Sequence, residues 1–264
     1  MLTVVTATYN RAYTLPRLFE SLQKQTKLNF EWVVVDDGSA DETESLLKDF
    51  QVRASFPMKI VKQKNSGKHV AINSGVSVSS GEWIYFVDSD DALPADAVAV
   101  FTDTLIKDAG ETTIGYCFRK QNFSGGIIGR PCEGLPTEFT IMTPTAAGNY
   151  YQGDLAYIFQ RQALIKHPFP VFEGEKFVPE LLVWNRVSDE GVIKFFGNKV
   201  LYVCEYLEDG YSANFNANLR RNPLGFGCYY SQQISREKTL SRKIKCAVRY
   251  AQCRLYHLLG RKGH

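Results

Sequence analysis

The first hundred residues alternate short apolar runs with segments in which apolar residues recur at helical spacing. Runs of β-branched and aromatic residues predict four strands, over residues 2–7, 32–35, 59–63 and 83–87. Leu15, Leu18, Phe19 and Leu22, spaced three and four positions apart, predict a helix around residues 15–22, and a further helix is expected over 68–79. Strands that alternate with helices predict an α/β fold, with a Rossmann-like, mainly parallel central sheet and helices on both faces.

The pattern changes after about residue 110. Residues 112–153 include the turn-rich stretch SGGIIGRPCEG and predict a mobile loop region over a cleft. Farther on, residues 177–188 predict a helix, and residues 194–204 predict strands around a GNK turn.

Polar clusters follow three of the predicted strands. The segment TYNR comes after the first strand, DDGS after the second and DSDD after the fourth. Ligands of open parallel sheets bind beyond the carboxyl ends of the strands, so these clusters are expected to line one cleft.

The acidic segment VDSDD is the strongest chemical feature. Asp88 and Asp90 alternate at the end of a strand, where their oxygens suit a hard divalent cation such as Mg²⁺ or Mn²⁺. The alternative is structural: Asp90 or Asp91 caps a helix that begins near Pro94.

The first two clusters favour a nucleotide. Tyr9 offers a stacking face, Arg11 a cation and Asp37 an acceptor for a base or ribose, although each also fits an ordinary turn. The sequence contains neither GxGxxG after the first strand nor GxxxxGK[ST], which disfavours dinucleotide oxidoreductases and P-loop enzymes.

Three segments carry a family resemblance. VVTATYNRAYTLPRLFESLQKQT, EWVVVDDGSADET and NSGKHVAINSGVSVSSGEWIYFVDSDDAL resemble, in order and spacing, the nucleotide-sugar motifs of bacterial family 2 glycosyltransferases, which have the GT-A fold. The resemblance implies an inverting, metal-dependent hexosyl- or N-acetylhexosaminyltransferase of surface polysaccharide synthesis. The implied donor is a nucleotide sugar, most often UDP-linked.

The resemblance also assigns residues. The nucleotide would be surrounded by Thr8, Tyr9, Arg11, Asp37, Lys68 and Asp88, and the metal would be held by Asp88 and Asp90. Residues 1–110 would form the nucleotide-sugar half of a domain spanning residues 1–234, and residues 111–234 the acceptor-side half.

The stretch that would hold the implied catalytic base departs from the family pattern. Glu180 in VPELLVW stands where the family keeps an acid, and Leu181 occupies the place of a frequent second acid. Alternatively, Glu180 is simply a first-turn helix residue after Pro179, and Glu173, Glu175 and Asp209 are the next candidates. Arg220 or Arg221 could close over the diphosphate, or be solvated.

Charge singles out the C-terminus. The net charge is +3, but residues 235–264 hold nine Lys or Arg and one Glu, a charge of +8; the remainder, with 22 basic and 27 acidic residues, carries −5. Apolar residues at helical spacing predict a basic amphipathic helix here, the C-terminal extension of the fold. It either docks on the core or binds an anionic membrane surface.

The expected compartment is the cytoplasm, possibly at the inner face of the plasma membrane. The chain opens without a signal peptide, has no apolar run long enough to span a bilayer, and spaces its six cysteines as reduced thiols rather than as a metal or redox motif. The expected partners are the donor and a glycan or lipid-linked saccharide, and no nucleic acid. The alternatives in other classes are an aspartyl-nucleophile phosphatase or phosphotransferase and a non-catalytic sugar-nucleotide binding module.

Overall fold

The computed structural model describes residues 1–108, 112–131, 138–205 and 215–260. Its strands are β1 (Leu2–Thr8), β2 (Phe30–Asp36), β3 (Met58–Lys62), β4 (Trp83–Phe86), β5 (Thr113–Gln121), β6 (Thr140–Ile141), β7 (Leu155–Gln160) and β8 (Val192–Val203). Its helices are α1 (Leu15–Gln23), α2 (Thr43–Arg53), α3 (Lys68–Val78), α4 (Ala97–Lys107), α5 (Pro144–Tyr151), α6 (Arg161–Lys166), α7 (Leu181–Val187), α8 (Phe215–Arg221), α9 (Pro223–Arg236) and α10 (Leu240–Gly260).

The strands form one sheet in the order β3-β2-β1-β4-β7-β5-β8-β6. Strands β1 to β4 pair in parallel, as do β5 and β8, whereas β7 and β6 run antiparallel to their neighbours. The mainly parallel α/β sheet and the four strands expected in the first hundred residues are therefore confirmed. The parallel half brings the carboxyl ends of β1, β2 and β4 to the same edge, which is where the polar clusters lie.

Successive residues of the central strands pack on opposite faces of the sheet. Val4 and Val34 belong to one hydrophobic core, together with α1, α2 and α4, whereas Val5 and Val35 belong to a second core with α3, α6 and α7. All four valines are buried. Burial on both faces explains why these strands are continuous apolar runs in the sequence.

The prediction of a loop region over residues 112–153 is wrong for the first and last parts of that range. Residues 113–121 form β5, a central strand between β7 and β8, and residues 144–151 form α5. The strand pattern is interrupted by Arg119, which is nevertheless buried: its guanidinium donates to the carbonyl oxygens of Ile128 and Arg130, both at 2.7 Å. Residues 132–137, which include Cys132, lie outside the described ranges.

Two further boundaries need correction. The helix expected over 177–188 covers only Leu181–Val187, after Pro179. The strands expected around the GNK turn are one strand, β8, in which the pairing partner of Phe118 is Phe196 and that of Arg119 is Val200. The three residues between Phe196 and Val200 thus bulge out of the ladder without reversing the chain.

Candidate active site at the carboxyl ends of the strands

The polar clusters line one cleft of about 1190 Å³. The cleft brings together every residue predicted for the site: Thr8, Tyr9, Arg11, Asp37, Lys68, Asp88, Asp90 and Glu180. A cleft of this size at the carboxyl edge of a parallel sheet is the usual position of a ligand site in α/β proteins.

The loops that follow β1 and β2 are tied to each other. The backbone N–H of Asn10 donates to Ser39 Oγ at 2.9 Å, and the Asn10 side-chain oxygen accepts from the Ala40 N–H at 2.8 Å. This cross-link fixes the residues on either side of Asn10. Tyr9 is exposed to the cleft, and Arg11 donates to the hydroxyl of Tyr13.

Thr8 ends β1 and faces the cleft from a buried position. Its Oγ1 atom is among the buried side-chain oxygens that find no hydrogen-bond partner within the described part of the chain. A buried hydroxyl without a partner is costly unless a ligand or water supplies one.

Asp37 organises the loop before α3. Its carboxylate, almost fully buried, accepts from the Gln63 amide at 2.8 Å and from the backbone N–H groups of Ser66 and Gly67 at 2.9 and 2.7 Å. Gly67 has a φ of 96°, and a Cβ there would overlap the backbone of Lys176. Asp37 therefore shapes the position of Lys68 as well as lining the cleft.

The acidic loop after β4 gathers three carboxylates. Asp88, Asp90 and Asp91 each offer an oxygen within 4.8 Å of the others, an all-oxygen set that fits Mg²⁺ or Mn²⁺. Burial and the neighbouring Asp88 raise the pKa of Asp90, as expected for carboxylates that lie close together. The residues present thus fit a divalent cation.

Neither Asp90 nor Asp91 caps the helix that follows the acidic loop. Helix α4 begins at Ala97, with Asp96 as its N-cap residue. The buried carboxylate of Asp91 instead accepts from the Tyr202 hydroxyl at 2.7 Å and from the Glu205 N–H at 3.3 Å. Burial and Asp88 raise the pKa of Asp91 to about 7.

Lys68 joins the two sides of the cleft. Its Nζ atom lies 2.7 Å from Asp88 Oδ1 and 2.7 Å from Glu180 Oε1. Burial alone would lower the pKa of Lys68, but the two carboxylates hold that pKa well above its usual value. Glu180 and the acidic loop therefore lie within two hydrogen-bond lengths of each other, although 92 positions separate Asp88 from Glu180 in the sequence.

Glu180 precedes α7 as its N-cap residue, yet its side chain makes no capping hydrogen bond. The carboxylate is partly exposed in the cleft and is engaged by Lys68 instead. Of the other acids considered, Glu175 accepts from the backbone N–H groups of Leu224 and Gly225 at 2.7 and 2.8 Å, so it holds the start of α9. Glu173 is exposed and does not line the cleft, and Asp209 lies outside the described residues.

Sequence reasoning missed three residues that support the acidic loop. The Tyr202 hydroxyl accepts from the Asp88 N–H at 2.9 Å while it donates to Asp91. Arg17 donates to the Asp90 carbonyl oxygen, and Lys120 lines the cleft and places its ammonium 3.8 Å from the centre of the Tyr202 ring. Each of them reaches the loop from another element, so the acidic segment by itself gives no sign of them.

The far side of the cleft is aromatic. It is lined by Phe177, Trp184, Phe215, Phe226, Tyr229 and Tyr230. Arg220 packs its guanidinium 5.5 Å from the centre of the Tyr256 ring of α10, and neither Arg220 nor Arg221 lines the cleft. Aromatic faces of this kind bind the apolar faces of ring-shaped ligands by stacking and burial.

Fold and site together define the class. A mostly parallel sheet with an acidic cluster beyond a central strand, beside a nucleotide-sized cleft, is the arrangement of GT-A glycosyltransferases. The chain belongs to glycosyl transferase family 2, whose family model matches residues 3–146. The family resemblance and the fold class expected from the sequence are thus confirmed.

Curated relatives match the first part of the chain. The PGL/p-HBAD biosynthesis glycosyltransferase of Mycobacterium tuberculosis is 35% identical over 100 residues, which is 38% of this chain and 39% of the relative. Glycosyltransferase GlyA of Streptococcus pneumoniae is 32% identical over 114 residues, or 43% of this chain and 16% of the relative. The chain spans less than half the length of these relatives.

Solved structures resemble the whole fold. TarS from S. aureus in complex with UDP-GlcNAc gives a TM-score of 0.64 at 18% identity, covering 97% of this chain and 72% of that one. The mannosyltransferase PcManGT from Pyrobaculum calidifontis, in complex with GDP-Man and Mn²⁺, gives 0.62 at 17% identity, covering 100% and 75%. At such identities these likenesses show the fold alone.

Proposed function

We propose that the chain transfers a sugar, with inversion, from a UDP-linked donor to a glycan or lipid-linked saccharide in bacterial surface polysaccharide synthesis. The observation that carries the proposal is the bridge at Lys68, which joins Asp88 of the acidic loop to Glu180. The bridge brings a site for the donor phosphates within reach of a site for a catalytic base. Such a reaction would take place in the cytoplasm, with a lipid-linked acceptor at the inner face of the plasma membrane.

The donor belongs on the side formed by residues 1–110. Thr8, Tyr9, Arg11 and Asp37 would surround the base and ribose, and Lys68 would approach the phosphates. The solved structures of similar fold support a nucleotide sugar, since TarS is in complex with UDP-GlcNAc and PcManGT with GDP-Man. Residues 111–234 would supply the acceptor side, whose aromatic lining suits a saccharide ring.

Asp88 and Asp90 would hold a divalent cation, Mg²⁺ or Mn²⁺. Such a cation, when bound, neutralises charge on a leaving diphosphate. Asp91 is a weaker candidate, because both of its oxygens already accept hydrogen bonds from Tyr202 and from the backbone of Glu205. Its contribution is to position the loop.

Glu180 would act as the general base. Its carboxylate takes the proton of an acceptor hydroxyl while that oxygen forms a bond to the anomeric carbon, and the bond from that carbon to the diphosphate oxygen breaks. One displacement on the opposite face inverts the configuration. Lys68, which holds Glu180 when no donor is present, carries the positive charge that a diphosphate would attract.

An aspartyl-nucleophile phosphatase or phosphotransferase is a weaker explanation. Such an enzyme needs its paired acids after the first strand, whereas the residues after β1 are Tyr9, Asn10 and Arg11, and the acids follow β2 and β4. A non-catalytic binding module is the other alternative, and detectable sugar transfer or donor hydrolysis by the purified chain would dispose of it.

The test is a panel of UDP- and GDP-sugars with Mn²⁺, with Mg²⁺ and with chelator. We expect one donor to raise the melting temperature and to be hydrolysed or transferred, and Asp90→Asn to lower turnover by at least about 10²-fold, because metal ions contribute several kcal/mol of charge stabilisation. Asp96→Asn is the matched control, since Asp96 is exposed and makes no side-chain cap. Full activity of Asp90→Asn under chelation would contradict the metal site.

A further inference from the structure

Helix α10 presents an apolar stripe to solvent. Its members recur three and four positions apart, so they share one face of the helix: Leu240, Ile244, Val248, Ala251, Leu255, Leu258 and Leu259. The six larger side chains are between 53% and 73% exposed. So many large apolar residues on one exposed surface mark an interaction site rather than ordinary surface composition.

The opposite face of α10 is already packed. Cys246 and Cys253 are buried, and Cys253 joins Leu219 of α8 and Phe226 of α9 in a small hydrophobic cluster, with Tyr256 against it. The helix therefore docks on the domain without using its apolar stripe. Docking on the core and a free apolar face are therefore not alternatives for this helix, because different faces are involved.

Charge indicates what covers the stripe. Within its described span, α10 carries five Lys or Arg residues and no Asp or Glu. Lys245 and Arg254 are exposed, and with about 3.6 residues per turn they lie on opposite borders of the stripe. An apolar face with a cationic rim fits the boundary between acyl chains and anionic headgroups.

We propose that the apolar stripe of α10 is a docking surface for an anionic lipid bilayer, on which the helix lies parallel to the membrane plane. No helix among the described residues is long and apolar enough to cross a membrane. A second copy of the chain is a poorer occupant, because stripe-to-stripe packing would bring the cationic borders of two helices together. Binding should weaken as the salt concentration rises, because dissolved ions screen the attraction between the basic side chains and the anionic headgroups.

The experiment is co-sedimentation of the full chain with vesicles, without any sugar donor. Vesicles of phosphatidylcholine alone are compared with vesicles that also contain phosphatidylglycerol, each at low and at high salt. We expect binding to the anionic vesicles, weakened by salt. The double substitution Val248→Ser and Leu255→Ser should weaken it by at least about tenfold, and Lys245→Gln with Arg254→Gln by about fivefold for each charge lost.

The matched control is the double substitution Val52→Ser and Ile106→Ser, which removes exposed apolar side chains from α2 and α4. It should leave vesicle binding unchanged, and a thermal melt should show every variant folded, since all these positions are exposed. The proposal would be overturned if the wild-type chain did not bind anionic vesicles, or if the stripe variants bound them as strongly as the wild type. If light scattering shows a dimer, and the stripe substitutions convert it to a monomer, the stripe would instead be the contact surface for a second copy of the chain.

Discussion

The two sides of the cleft are built in different ways. On the side of β1, β2 and β4, polar groups in short loops are held by hydrogen bonds, as Asp37 is held by three donors from residues 63–67. On the side of α7 to α9, the lining is aromatic, and helices fix it by packing, as Phe226 packs with Leu219 and Cys253. The first side suits a charged ligand of defined shape, and the second suits the apolar faces of a ring.

This difference suggests how such an enzyme divides its work. Hydrogen-bonded loops hold charges in place before a ligand arrives, which favours binding of phosphates and a cation. Lys68 links the two sides, and Glu180 is the acid that the aromatic side contributes to the bridge.

The largest expected effect comes from removing that acid. Glu180→Gln keeps the size of the side chain but cannot accept a proton, so turnover should fall by about 10²- to 10⁴-fold. Donor binding, measured by calorimetry, should be retained, because Lys68 keeps its contact with Asp88.

Glu173→Gln is the control, since Glu173 is an exposed acid of the same segment that does not line the cleft. If the Glu180→Gln variant had normal turnover, Glu180 would not be the base, and another residue would have to accept the proton.

The same difference decides what the sequence could predict. On the side of β1, β2 and β4 each strand and the polar loop after it are contiguous, so apolar runs followed by TYNR, DDGS and DSDD were enough to predict that these loops line one cleft, whereas Lys68 was assigned through the family resemblance. Glu180 was found through a family resemblance in VPELLVW, but its contact with Lys68 could not be, because tertiary packing alone brings α7 beside the start of α3.

Residues whose partners are distant in sequence could not be predicted. The turn-rich stretch after β5 made this region look like a loop, and the burial of Arg119 could not be read from the sequence: one guanidinium nitrogen donates to two carbonyl groups about ten positions away, and the group lies 4.6 Å from the centre of the Tyr151 ring. Tyr202 appeared to be an ordinary strand residue, because its partners, Asp88 and Asp91, lie more than 100 positions earlier.

A smaller effect is expected from Tyr202→Phe, which tests whether the donor side depends on hydrogen bonds from outside its own loops. The substitution removes the acceptor for the Asp88 N–H and the donor to Asp91. Residues that orient metal ligands typically contribute about 10- to 100-fold in metal affinity, so the Mn²⁺ concentration for half-maximal donor hydrolysis should rise by at least about tenfold.

Tyr116→Phe is the matched control for Tyr202→Phe. The buried Tyr116 also donates to a carboxylate, that of Asp108 at 2.7 Å, but it does not line the cleft. It should lower stability without changing the Mn²⁺ requirement. An unchanged requirement in Tyr202→Phe would mean that the acidic loop holds its shape unaided.

The smallest expected effect concerns Glu175, whose carboxylate supports the start of α9. Glu175→Gln leaves one acceptor oxygen for the N–H groups of Leu224 and Gly225. Urea denaturation should therefore show that the free energy of unfolding falls by about 1 kcal/mol, with turnover nearly unchanged.

Burial raises the pKa of Glu175, so the folded wild-type chain binds its proton more tightly than the unfolded chain does. This carboxyl therefore lowers stability as pH rises through that pKa, a dependence that the variant should lack. Glu173→Gln should change neither quantity. A large loss of turnover in Glu175→Gln with normal stability would instead make Glu175 the reactive acid, and the acceptor side would then owe its chemistry to the start of α9 rather than to α7.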